Sequence, residues 1–84
     1  MAKVRKRNGK LQLFDKSKIV KACKKSGASI KSAIMVAEEV AKKVGNTTIR
    51  AERLSKMVIG SLRKRNKRAA QSFVAFVKRK YSKK

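Results

Sequence analysis

The residue types best suited to chemistry in this chain are cations, and they crowd one short stretch. In Val4-Arg5-Lys6-Arg7-Asn8-Gly9-Lys10, basic side chains surround an Asn-Gly pair. Guanidinium and ammonium groups gathered at a turn bind phosphate, through charge and through several N–H donors at once. The phosphate can belong to a nucleotide or to a polynucleotide backbone, and the local chemistry is the same for both. Two further basic clusters lie late in the chain: Arg63, Lys64, Arg65, Lys67 and Arg68, then Lys78, Arg79 and Lys80.

Other chemistries have little to draw on. With no His, one Cys and four carboxylates, general acid–base catalysis and metal ligation lack their usual groups. Asp15 stands where a helix N-cap is expected. Glu38 and Glu39 are adjacent, and neighbours on a helix point about 100° apart, which rules against a catalytic dyad. They are expected on the exposed side of their helix, bonded to Lys42 and Lys43 one turn on. Cys23, in "IVKACKK", falls on the apolar side of an expected helix and reads as a small buried hydrophobe. The sequence therefore predicts a non-enzymatic protein that requires no cofactor and no metal.

The elements that must position these cations follow from periodicity. Val4–Arg7 and Lys10–Phe14 flank Asn8-Gly9, the preferred pair for a two-residue type I′ hairpin turn. Leu11 and Leu13 share one face of the second strand, expected to be the half-buried one, with Gln12 on the other. Asp15 then caps a first helix over about 16–26, which Gly27 ends; Ile19, Val20 and Cys23 face inward. The second helix, closed by Gly45, carries an apolar stripe of Ile30, Ala33, Ile34, Ala37, Val40, Ala41 and Val44. Asn46-Thr47-Thr48 reads as a loop, with Thr48 capping a third helix over about 49–65 whose stripe is Leu54, Met57, Val58 and Leu62. Gly60 within it suggests close packing against a neighbour. A polar link at 64–67 leads to a fourth helix over about 68–82, carrying Ala69, Ala70, Phe73, Val74, Val77 and Tyr81. The fold class is α+β, mostly α: one domain over residues 1–84, with an N-terminal β-hairpin packed on a four-helix bundle.

Charge is the strongest compositional signal. Twenty-six Lys and Arg against 4 Asp and Glu give a formal net charge of +22, where a net charge of about 2–8 suffices for solubility. A small body so charged repels itself unless a polyanion supplies the counter-charge. No run approaches the roughly 20 apolar residues that span a bilayer, and the first ten residues do not resemble a signal peptide. The expected setting is therefore cytoplasmic and nucleoid-associated, with no membrane partner.

Lys6-Arg7-Asn8-Gly9, Phe14-Asp15 with Lys18-Ile19, "TIRAERL" at 48–54 and "FVAFVKR" at 73–79 together resemble the ATP-cone domain. That is the regulatory nucleotide-binding module of ribonucleotide reductases and of a related bacterial transcriptional repressor. The resemblance covers nearly the whole chain. Asn8 stands where the family usually has Asp, Gln12 where an acidic residue is common, and the family's aromatic near Val77 is missing. The resemblance implies that Val4, Lys6, Arg7 and Lys18 contact a nucleotide, ATP or dATP.

Two functions are thus expected. The first, which the excess charge favours, is largely sequence-independent binding to a phosphate backbone: duplex DNA ahead of RNA, as a stand-alone chromatin or nucleoid protein, with a ribosome- or RNA-associated role as its variant. Its contacts would be Arg5, Lys6, Arg7, Lys10, Arg63, Lys64, Arg65, Lys67, Arg68, Lys78, Arg79 and Lys80, each contact releasing condensed counterions. The second is an ATP- or dATP-sensing regulatory module. Oligomeric state is left open.

Overall fold

The computed structural model describes the backbone of residues 2–81 and the side chains of residues 2–79. The Lys80 contact and the end of the fourth helix at Ser82 lie outside the described residues. In chain order the elements are β1 (Lys3–Arg5), β2 (Leu11–Leu13), α1 (Lys16–Lys25), α2 (Ile30–Val44), β3 (Thr48–Arg50), α3 (Ala51–Arg65) and α4 (Lys67–Tyr81). The class is the α+β, mostly α architecture that the sequence predicts. Helix α1 packs on α2, α2 on α3 and α3 on α4, while α1 also reaches α4 and β1 reaches α3.

The helix starts have local causes. Asp15 Oδ1 accepts from the Ser17 amide at 2.9 Å and from the Ser17 hydroxyl at 2.6 Å, satisfying one of the free N–H groups of the first turn of α1. Ser29 does the same for α2, accepting from the Ser32 amide. The link before α4 shrinks to one residue, Asn66, whose side chain accepts from the Ala69 amide at 3.0 Å. Gly27 and Gly45 follow α1 and α2 with φ of 105° and 60°, a backbone region costly for residues with a Cβ.

Two departures from the sequence expectation concern the sheet. Thr48 caps nothing; with Ile49 and Arg50 it forms β3, parallel to β1, giving a three-stranded sheet of order β2-β1-β3. The hairpin turn also differs. The Lys6 carbonyl accepts from the Gly9 amide, and the Lys10 carbonyl accepts from the Lys6 amide. Only Gly9 of the tip residues has positive φ, so the turn centres on Arg7-Asn8 and Gly9 forms a bulge, the alternative three-residue hairpin loop.

That one residue changes everything beyond it. A two-residue turn at Asn8-Gly9 would set Val4 opposite Leu13. The observed register pairs Val4 with Gln12, Lys3 with Leu13 and Arg5 with Leu11. A slip of one residue exchanges the two faces of a strand. Leu11 and Leu13 are accordingly exposed, and Gln12 turns inward beside Val4. The expectation of a half-buried Leu11 and Leu13 is corrected on this ground.

The core gathers Ile19 and Cys23 of α1, Val36 and Val40 of α2, Ile49 of β3, Val58 and Leu62 of α3, and Ala69, Ala70 and Phe73 of α4. Burial pushes the Cys23 thiol up to about 11, so it stays a neutral, packed group. On α2 the buried stripe is Ala33, Val36, Ala37, Val40 and Val44. Ile30 opens the helix in an exposed position, and Ile34, roughly 100° around from Ala33, is exposed as well. Gly60 is exposed, and a Cβ there would meet nothing within 4 Å, so its helix position does not reflect a close approach.

Glu39 supplies the polar tie of the bundle. It faces α3: its Oε1 accepts from the Ser61 hydroxyl at 2.8 Å and from Arg65 Nη1 at 3.0 Å, and its Oε2 lies 3.4 Å from Lys64 Nζ and 3.8 Å from Lys43 Nζ. The Ser61 hydrogen bond, then those from Arg65 and Lys64, hold its carboxyl down at about 2. The predicted i,i+4 partner Lys43 is present, but Glu39 is drawn from the exposed side into the α2–α3 seam.

Candidate functional site

Three helices, α1, α3 and α4, and the hairpin converge on one cavity of about 460 Å³, within the range of small-ligand pockets. Its cationic side comes from the turn and from α1. Lys6 and Arg7 reach it because the turn centred on Arg7-Asn8 folds the tip over the bundle; Lys18 sits one helical turn after the Asp15 cap. Its apolar wall is built by Ile19 and Ala22 of α1, Leu54 and Val58 of α3, and Phe73, Phe76 and Val77 of α4. The Phe73 and Phe76 rings stand 6.4 Å apart at 59°. Phe73 is buried and Phe76 remains 46% exposed, so one ring is part of the core and the other offers a face at the rim.

The electrostatics favour an anion. Of the carboxylates, Asp15 lines the cavity, but its Oδ1 is engaged by the Ser17 hydroxyl and amide, which hold the carboxyl below its ordinary value. Glu52, at the first turn of α3, lies 3.6 Å from Arg7 Nε, with both side chains about half exposed. Such a pair holds Arg7 loosely, since exposed ion pairs contribute about 0–1 kcal/mol. Asn8, Gln12 and Ser55 add neutral hydrogen-bonding groups. A second, more open groove beside Ala2, Lys16 and Asn46 has Lys16 as its basic member among the described residues, too little charge for a polyphosphate.

The four residues that the resemblance implied as nucleotide contacts, Val4, Lys6, Arg7 and Lys18, all line this one cavity. The longer set expected along a polynucleotide is scattered. Arg5 points away from the helices, its guanidinium donating to the Gly9 carbonyl at 3.4 Å, and Lys10 is exposed near it. Arg63, Lys67 and Arg68 are exposed at the α3–α4 junction, with Lys78 and Arg79 exposed on α4. Lys64 and Arg65 are drawn to Glu39, and Arg65 Nε is buried without a partner. Sequence reasoning left Gln12, Ser55, Phe73 and Phe76 out of the site. The i,i+3 spacing of the two phenylalanines placed them on one helix face; nothing local marked Gln12, whose inward turn depends on the Gly9 bulge.

Comparison with known proteins agrees with this geometry. A family model described as the ATP cone domain matches residues 2–83, nearly the whole chain. A protein of Archaeoglobus fulgidus described as uncharacterized is 52% identical over 40 residues, which are 48% of this chain and 85% of the relative.

The family match overturns the expectation that polynucleotide binding is the main role. The matched module is a nucleotide-sensing one, and neither comparison supports a chromatin, nucleoid or RNA-associated protein. The physical reason lies in what net charge measures. It sets the sign of the surrounding field but does not say where a ligand is gripped. Exposed lysines and arginines occur on all four helices, whereas the cations that converge on a shaped, partly apolar cavity are Lys6, Arg7 and Lys18.

Proposed function

The chain belongs to the ATP-cone family, and on that premise we propose that it is a regulatory module that binds ATP or dATP in the cavity beneath the hairpin. The observation that carries this reading is the convergence of Lys6, Arg7 and Lys18 at one side of a cavity whose other side is apolar. A nucleoside triphosphate has that same division, a multiply charged tail and a flat, largely apolar base. The three cations take the tail, as charge-assisted hydrogen bonds to phosphate are about twice as strong as neutral ones. The base lies against Phe76, Val77 and Leu54. Val4, at the centre of the hairpin, closes the cavity from above.

Regulation follows from where the ligand sits. The hairpin consists of two three-residue strands, and so short a ribbon depends on what it packs against. A nucleotide that bridges the tip to α1, α3 and α4 ties this end of the molecule to the bundle. The module then has two states that differ in the order and exposure of the hairpin, and a partner or a second copy can tell them apart. The nucleotide is a signal in this scheme and is not consumed.

Calorimetric titration with ATP and dATP, alongside thermal unfolding, tests the reading. One nucleotide per chain and a rise in Tm are expected; at a hundredfold excess over Kd the stabilisation is about 2.7 kcal/mol. The absence of both binding heat and a Tm shift at millimolar nucleotide would remove the sensor from consideration.

A further inference from the structure

Strand β2 is a free edge of the sheet, whose order is β2-β1-β3, and it is built inside out. Its leucines, Leu11 and Leu13, are 47% and 60% exposed, while Gln12 between them faces the helices. The main chain of this strand is open as well. The Phe14 amide donates to the Ala2 carbonyl, and the Lys6 amide donates to the Lys10 carbonyl. Opposite residues of an antiparallel ladder alternate between bonded and non-bonded pairs. The pattern therefore bonds Gln12 to Val4, its register partner, and leaves the N–H and C=O groups of Leu11 and Leu13 pointing off the edge. Sheet edges are normally blunted by lysine or proline, because an open edge recruits another strand. This chain has 26 Lys and Arg, yet it sets leucine at both outward positions of its edge strand.

The surroundings of the edge set the charge of whatever covers it. Across the outward face of the sheet the register aligns Leu11, Arg5 and Arg50 in one row and Leu13, Lys3 and Thr48 in the next. All six are exposed. Like charges directly opposite each other, here Arg5 and Arg50, are destabilising. Among the described residues the ion pairs are those of Glu39 and that of Glu52 with Arg7, so Lys3, Arg5 and Arg50 meet no carboxylate. A strand added beyond β2 lies about 4.8 Å from it and roughly 10 Å from β1, within the combined reach of an arginine and a glutamate side chain. A second copy of this chain is disfavoured there, because it brings the same net charge of +22 and repels the first.

We propose that the free edge of β2 is a docking site for an extended, acidic segment of another protein, which joins the sheet as a fourth strand. Its main chain pairs with Leu11 and Leu13, two apolar side chains cover the leucines, and carboxylates flanking them on the same face answer Lys3, Arg5 and Arg50. In strand addition of this kind main-chain hydrogen bonds supply affinity and alternate side chains supply specificity. The inference goes beyond the nucleotide reading and does not depend on it: Leu11 does not border the cavity, and the segment lies on the outward side of the sheet.

The test is a fluorescence-anisotropy titration of the full chain into a labelled synthetic peptide, Glu-Glu-Thr-Val-Thr-Val-Thr-Glu-Glu. A second peptide, with serine in place of both valines, carries the same charge. The valine peptide is expected to bind about tenfold tighter, from the apolar area buried on Leu11 and Leu13. Leu11→Ser is expected to lower its affinity by roughly tenfold and to leave the serine peptide unchanged. Leu11→Pro removes an N–H from the open edge without touching the ladder and should weaken both peptides severalfold; the Tm of each variant shows that the fold stands. Hydrogen exchange reads the pairing itself: the Leu11 and Leu13 amides, fast in the chain alone, should slow by about tenfold with saturating valine peptide. Equal affinity for the two peptides with no response to Leu11→Ser, or unslowed exchange at Leu11 and Leu13 in the complex, overturns the inference and leaves attraction by charge alone. Failure of both peptides to bind at low salt overturns it too. So does a dimer of the chain alone, seen in sedimentation and dissociated by Leu11→Ser, which would give the edge to a second copy.

Discussion

The hairpin end and the α2–α3 seam use the same residue types to opposite ends. At the seam, Lys43, Lys64 and Arg65 surround Glu39, and Ser61 adds its hydroxyl. Close by, Leu62, Val36 and Val40 are fully excluded from water. At the hairpin, Lys6, Arg7 and Lys18 surround a cavity. Of the two carboxylates at that end, Asp15 is committed to capping α1 and Glu52 lies 3.6 Å from Arg7 in an exposed pair, while leucines face solvent and a glutamine faces in. The seam gathers its cations around one carboxylate of the protein; at the hairpin they line a cavity, with Arg7 also meeting Glu52 in an exposed pair. Net charge averages over both places, which is why it pointed to the wrong kind of polyanion.

The largest effect that would separate the two regions is a cavity in the core beside the seam. Leu62→Ala should destabilise the fold by about 2–5 kcal/mol, from lost transfer energy and the void left behind. Folded protein should still bind ATP with unchanged Kd, measured well below the lowered Tm. The converse is Lys6→Ala. It should weaken ATP binding by about 1.5–3 kcal/mol, the range for a hydrogen bond to a charged group, while Tm without ligand stays the same. Should Lys6→Ala lower Tm as much as it lowers affinity, the division between the two regions would be lost.

Helix positions and the Asp15 cap were legible in the sequence because their causes are local: Asp15 acts on Ser17, and Gly27 and Gly45 sit where a Cβ is costly; the cap expected at Thr48 was not, because that residue pairs with β1. The site was legible only in part. Lys6, Arg7 and Lys18 follow from motif and charge, but Gln12 needed the hairpin register, and that register turned on whether Gly9 closes a two-residue turn or forms a bulge. Both turns suit an Asn-Gly pair. β3 was hidden because three residues give too short a pattern to separate a strand from a loop before a helix. Glu39 was misplaced because its partners Ser61 and Arg65 lie 22 and 26 residues away, beyond any i,i+4 rule.

A smaller, pH-dependent effect belongs to Glu39. Its carboxyl titrates at about 2 in the folded chain against an ordinary value of 4.5. The folded state therefore binds the proton less readily, so this contribution to stability is complete above 4.5 and falls away as pH drops towards 2. Thermal unfolding across that window should show a steeper loss in the unaltered protein than in Glu39→Gln, whose side chain does not titrate. ATP affinity of the variant at neutral pH should match that of the parent, because Glu39 lies in the other region.

The smallest effect concerns the contact between the cavity rim and α3. Glu52→Gln removes an anion 3.6 Å from Arg7 and should tighten ATP binding by no more than about fivefold, the ceiling for an exposed pair. A loss of affinity would mean that Glu52 orients Arg7 for phosphate rather than competing with it.

The central claim is one of place: the nucleotide sits between the hairpin tip and the ends of α1, α3 and α4. Backbone amide chemical-shift mapping during an ATP titration tests it most directly. Shifts are expected at Lys6–Asn8, Gln12–Ile19, Leu54–Val58 and Phe73–Val77, with the amides of α2 from Val36 to Val44 unmoved. Equal shifts beside the exposed lysines of all four helices, or none at the hairpin, would contradict the account.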